Sequence, residues 1–244
     1  MKAFLALVTA AVAGLLAMPA SGKGMLVLQC GSDWCESGED VRRVFTSPEF
    51  RTALGGKFEL AVYDDMENPT PKVKAANAAL KDLRVETMRF PAITCLTDRP
   101  HRFFAQLENI PFDVTPKALA DMVLSAAKKK DDAVRLFRRG RGKGADAANA
   151  LGKGFEILES QVGEFEFGHL FKGPLAWEEQ WRHLEEIDPH DRQGWRRRFT
   201  MGYGVDLIEK ASSFGRYGEA KEWEEFEKEI LAIPTNNLSV VQRQ

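Results

Sequence analysis

The run Met25-Leu26-Val27-Leu28, closed by Gly24 and Gly31, leads straight into Trp34-Cys35-Glu36-Ser37-Gly38. A short apolar run between glycines reads as a buried strand. Ser32 or Asp33 can cap a helix that starts near Cys35. The chain is therefore committed to a strand, a tight turn and a helix, with a cysteine at the junction. A helix start presents unpaired N–H groups and a partial positive charge, which favour a thiolate. The thiolate is the nucleophile of disulfide exchange. Asp33 and Glu36 work against it, because like charge disfavours a second anion. The thiol expected at Cys35 is modestly activated.

Beyond this junction the patterning alternates between helix and strand. One helix carries Val41, Val44 and Phe45 on one face and ends before Gly55-Gly56. Phe58 to Tyr63 reads as a strand, Asn68-Pro69-Thr70-Pro71 as a turn, and Thr70 or Pro71 opens a helix through Leu83. Pro91 to Leu96 and Arg102 to Leu107 read as strands. Thr115-Pro116 opens a helix with Leu119, Met122, Val123 and Ala126 on one face. This order predicts an α/β domain, a central mixed sheet with flanking helices.

From Lys128 the character changes. Lys128-Lys129-Lys130 and Arg138-Arg139-Gly140-Arg141-Gly142-Lys143 frame a basic stretch, and no strand pattern comes after it. Gly144 to Leu158, Leu175 to Ile187, His190 to Ser213 and Glu219 to Leu231 read as amphipathic helices. The aromatic residues Trp177, Trp181, Trp195, Phe199, Tyr203, Trp223 and Phe226 are expected in their core. The expected organisation is a leader over 1–22, the α/β domain over 23–127, a basic linker over 128–143, an all-α domain of helical hairpins over 144–234 and a tail over 235–244. The basic stretch can meet an anionic membrane surface, although a solvated face explains it more simply.

The leader rests on Lys2, the apolar run Ala3 to Met18 and the small residues after Pro19. That pattern is a secretory signal peptide, and the protein is expected to be exported, periplasmic or secreted. An uncleaved N-terminal anchor is the second reading. The formal net charge of −2 excludes a global attraction for nucleic acid. His101, His169, His183 and His190 are scattered, and no Cys or His pair has metal-ligand spacing. Neither a metal nor another cofactor is expected.

Gln29-Cys30-Gly31-Ser32-Asp33-Trp34-Cys35 resembles the approach to the active site in the thioredoxin superfamily. Thr46-Ser47-Pro48-Glu49-Phe50, with Phe58 to Asp64 after it, is similar to the exported, disulfide-exchange branch of that superfamily. Arg89-Phe90-Pro91-Ala92-Ile93 looks like the loop that holds its cis-proline. The resemblance covers about residues 25–127. More weakly, Glu186 to His190 and Tyr217 to Asn237 resemble tetratricopeptide-type hairpins. The resemblance implies Cys35 as the catalytic nucleophile. Trp34, Phe90 and Pro91 then flank a groove for an extended peptide, which pairs with the Phe90 backbone if Pro91 is cis.

Two departures bear on function. Gly38 stands where the resolving cysteine would be, and Gln29 where many thioredoxins carry a buried acid. Cys95, four residues beyond Pro91, is too far along its strand to reach Cys35. Cys30 is expected to face the core, and a Cys30–Cys35 pair would require the loop between them to rearrange. Two functions stay open. In one, Cys35 forms mixed disulfides with exported proteins or peptides, released by a thiol reductant, in the manner of a thiol-disulfide oxidoreductase. In the other, the fold is a redox-inactive scaffold whose helical domain binds a partner.

Overall fold

The computed structural model describes residues 22–31, 35–81, 90–162, 167–171 and 173–200. Strand β1 (Gly24–Cys30) is buried along nearly its whole length. It lies between parallel β2 (Phe58–Asp64) and antiparallel β3 (Ala92–Leu96), and β4 (Phe103–Leu107) completes the order β2-β1-β3-β4. A central strand covered on both faces must be apolar on both, which is why Met25 to Leu28 shows no alternation. Gly24 starts it for want of space: a Cβ there would sit 2.7 Å from the Phe58 ring and 2.8 Å from the Leu96 carbonyl oxygen. Edge strand β2 is half-exposed until Asp64.

Between β1 and β2 the single helix expected up to Gly55 is two helices, α1 (Glu36–Thr46) and α2 (Pro48–Ala53). Ser47 breaks it. The residue before a proline is driven out of the helical region, and Ser47 is extended, at φ −66° and ψ 149°. Its hydroxyl accepts the Phe50 N–H at 3.2 Å and so caps α2, an interaction worth about 1 kcal/mol. Phe45 and Phe50 then pack with ring centroids 5.4 Å apart.

Helix α3 (Pro71–Lys81) opens as expected, with Thr70 Oγ1 accepting the Val73 N–H at 3.3 Å. After β4, helix α4 (Pro116–Arg139) is far longer than the Leu119 to Ala126 face suggests. The basic residues continue it rather than ending it, and Lys128, Lys129, Arg138 and Arg139 are exposed. The chain divides into two compact units, Met1–Lys129 with Lys172–Ala176, and Lys130–Phe171 with Trp177–Gln244. The division falls within α4. The first unit holds the mixed sheet and its helices.

In the second unit the described residues form helices: the end of α4, α5 (Ala145–Glu159), a 3-10 turn at Phe167–Leu170, α6 (Glu178–Ile187) and a helical segment over 195–200. Phe137, Phe155, Phe199 and Trp177 are buried, and Phe155 packs edge-on to Trp181 with centroids 5.5 Å apart. Of the aromatic residues expected in the core, Trp177 and Phe199 are buried, while Trp181 and Trp195 are half-buried. Two helices start later than expected. Leu175 and Ala176 belong to the first unit, where the Leu175 carbonyl accepts the Phe103 N–H at 2.9 Å. Residues 190–194 form turns, with Asp191 at φ 49° and Gly194 at φ 74°. Asp191 instead caps the helical segment over 195–200, its two carboxylate oxygens accepting the N–H groups of Arg196 at 3.0 Å and Arg197 at 2.9 Å. The expected leader up to residue 21, Trp34, and Tyr203, Trp223, Phe226 and the expected tail lie outside the described residues.

Candidate active site

Parallel pairing ends β1 and β2 together, with Cys30 opposite Asp64. Antiparallel pairing starts β3 at the same end, with Ala92 opposite Gln29. One end of the sheet therefore collects Cys30, Asp64, the Phe90-Pro91 step and the start of α1.

Cys35 is the N-cap residue of α1, at φ −127° and ψ 95°. Its N–H donates to the Gly31 carbonyl at 2.7 Å, which folds the junction back on β1. Its carbonyl accepts from Gly38 at 3.0 Å and Glu39 at 3.3 Å, which starts the helix. The side chain is half-buried, and Sγ lies 3.2 Å from the Ser37 hydroxyl. Gly38 is buried in the first turn. A Cβ built on it would stand 3.4 Å from Cys30 Cβ, 3.5 Å from the Gly31 nitrogen and 3.6 Å from Cys35 Cβ. The Phe90-Pro91 peptide is cis, with Pro91 buried and Phe90 half-buried.

Behind Cys35 lies a cluster that the sequence alone did not assemble. The buried Cys30 thiol donates to Asp64 Oδ1 at 2.7 Å. Arg42, one turn along α1 from Gly38, brings Nη2 to 3.6 Å from Asp64 Oδ2 and Nη1 to 3.3 Å from Glu39 Oε2. Burial works against the Arg42 charge, but Asp64 and then Glu39 outweigh it and hold the guanidinium protonated. Asn77 on α3 fixes Asp64 from the other side. Gln29 is buried as expected and meets Thr94, whose Oγ1 lies 3.2 Å from Gln29 Oε1 and 2.6 Å from Gln106 Oε1. A buried carboxylate is thus present at this end of the sheet, on β2 rather than at position 29. Its one sequence signal was Asp64, a charged residue closing the strand pattern of β2.

No protein-family model matches this chain. Nor does any curated protein match it. Among solved structures the chain is similar to one described as DsbH Oxidoreductase, at 22% identity over 47% of this chain and 79% of that one, with a TM-score of 0.38. A likeness of that extent leaves the chemistry to be read from this chain's own residues.

Cys95 takes no part. It sits in the middle of β3 opposite Leu26, wholly buried, and burial pushes its thiol far up from the ordinary cysteine range. Burial of this kind disfavours the thiolate, which is the reactive form. Among the described residues no group of three or more His, Cys, Asp or Glu stands together to hold a metal ion. No described helix is long and apolar enough to cross a membrane.

Proposed function

We propose that this is an exported thioredoxin-like protein that performs thiol-disulfide exchange through Cys35 on protein or peptide disulfides. The observation that carries this reading is the placing of Cys35. It is a half-exposed sulfur at the strand-to-helix junction, with a hydroxyl at 3.2 Å that can hydrogen-bond to the thiolate. Attack by that thiolate on a disulfide gives a mixed disulfide and releases one thiol. Trp34, Phe90 and Pro91 would line the approach for an extended peptide. A leader over 1–22 would place the protein in an oxidising compartment, and the helical unit would dock the partner.

Oxidised glutathione and an alkylating reagent test this directly. Rapid modification at Cys35, lost in Cys35→Ser, is the expected result. A second reading is favoured by Gly38, which places no thiol in the first turn of α1: a redox-silent scaffold that binds partners through the groove and the helices. Slow, unselective labelling of Cys35, with function intact in Cys35→Ser, would establish that reading instead.

A further inference from the structure

We propose that Cys30 is the resolving thiol for Cys35 and that Asp64 takes its proton, so that the exchange site is a pair separated by four residues rather than two. The inference rests on the thiol-exchange reading and concerns its second step.

Three observations converge on it. Cys30 and Cys35 both border the first turn of α1 at Gly38: a Cβ there would lie 3.4 Å from the Cβ of one and 3.6 Å from that of the other, so their own Cβ atoms are at most about 7 Å apart. A disulfide holds its Cβ atoms about 3.8 Å apart. The remaining approach is at most about 3 Å. With only hydrogen on the Gly38 α-carbon, no side chain at that position fills the gap. Second, the Cys30 thiol already points its hydrogen at a carboxylate, Asp64 Oδ1 at 2.7 Å. Such an acceptor serves a nucleophile that must lose a proton as it attacks, which a purely structural cysteine does not need. Third, the two sulfurs differ in access. Cys30 is fully buried and Cys35 half-exposed. Only Cys35 can meet an external disulfide, and only a thiol inside the fold can meet Cys30.

The step balances. Cys35 carries the partner as Cys35–S–S–R. Cys30 Sγ bonds to Cys35 Sγ as its proton passes to Asp64, the bond from Cys35 to the partner sulfur breaks, and RS⁻ leaves with the electron pair. The Asp64 proton then goes to that thiolate or to water. Two protein thiols are oxidised and one substrate disulfide becomes two thiols. Arg42 and Asn77 hold Asp64 in place throughout.

The test uses the reduced full-length protein, oxidised glutathione as the probe, and mass spectrometry over time. Expected is a glutathione adduct on Cys35 that rises and then decays to a form without glutathione and short of two hydrogens. Cleavage after Asp33 should then give two peptides joined by a disulfide. In Cys30→Ser, which keeps a hydroxyl donor for Asp64, the adduct should accumulate. In Asp64→Asn its decay should slow on the order of a hundredfold relative to its formation. An adduct that persists in the unaltered protein, or decays equally fast in Cys30→Ser, overturns this inference and leaves the thiol-exchange reading standing. No adduct on Cys35 overturns both. Should Cys30→Ser fail to fold, the peptide map of the unaltered protein and Asp64→Asn decide the matter.

Discussion

Asn77 clamps Asp64 by its backbone. The side-chain amide donates to the Asp64 carbonyl at 2.7 Å and accepts the Asp64 N–H at 3.2 Å, so an amide on α3 completes the ladder where edge strand β2 ends. The same contact sets the position from which the Asp64 carboxylate meets Cys30.

Asn77→Ala should therefore cost about 2 kcal/mol, since it strips two partners from backbone groups at a part-buried site. The denaturant midpoint should fall with little change in slope. Asn77→Asp should cost more, because it removes the donor and adds an anion beside Asp64. An unchanged midpoint in Asn77→Ala would mean that water replaces the clamp without loss.

Gly38 has room for a methyl group, its nearest neighbour being 3.4 Å from the Cβ position. Gly38→Ala should leave the fold intact and raise stability by up to about 1 kcal/mol, through the backbone entropy that glycine costs a helix. It should also hinder any approach of Cys30 to Cys35. Gly38→Cys, with its Cβ position 3.6 Å from Cys35 Cβ, should form a disulfide with Cys35 under mild oxidation, read as the loss of two free thiols. Failure to oxidise would show that the side chains cannot turn toward each other.

Gly152 is different. A Cβ built on it would overlap the Trp195 ring. Gly152→Ala should destabilise the helical unit by about 1–3 kcal/mol, outweighing the gain in helix propensity. Differential scanning calorimetry reads the cost. Trp195→Leu in the Gly152→Ala background should recover part of it, and a double variant no better than the single would put the strain elsewhere.

Burial pushes the Glu159 carboxyl above its ordinary range and Glu156 adds to the rise, while Arg198, bonded to both at 2.6 Å, only partly opposes it. An acid whose folded value is raised favours the fold when protonated, and that advantage is lost as pH climbs from the ordinary glutamate range through the raised value. Glu159→Gln should therefore gain in melting temperature relative to the unaltered protein as pH rises above the ordinary glutamate range. A constant or shrinking difference would make Arg198 the stronger influence.

Much of the fold was legible because its signals are local. Val41 and Phe45 mark one face of α1, Thr70 and Thr115 cap α3 and α4, and the unbroken apolar run of β1 marks it as central. The break at Ser47-Pro48 was missed, because the helix expected from Val41, Val44 and Phe45 runs up to Gly55-Gly56 without regard to the proline. The candidate site was legible only in part. Cys35 could be placed at a helix start from its neighbours in sequence, whereas Asp64 looked like the polar end of a strand.

The alternation of strands and helices, the openings of α3 and α4 and the cysteine at the β1–α1 junction follow from residues a few positions apart, whereas the N-cap of α1 is Cys35 itself and not Ser32 or Asp33. Long-range packing sets the rest: Cys30 meets Asp64 across 34 residues, Gly38 lies beside both Cys30 and Cys35, and Leu175 returns to β4. Such contacts depend on strand register and on which helix face meets which strand. Those are set by the packing of the whole core, and no residue carries a local mark of the distant partner it will meet.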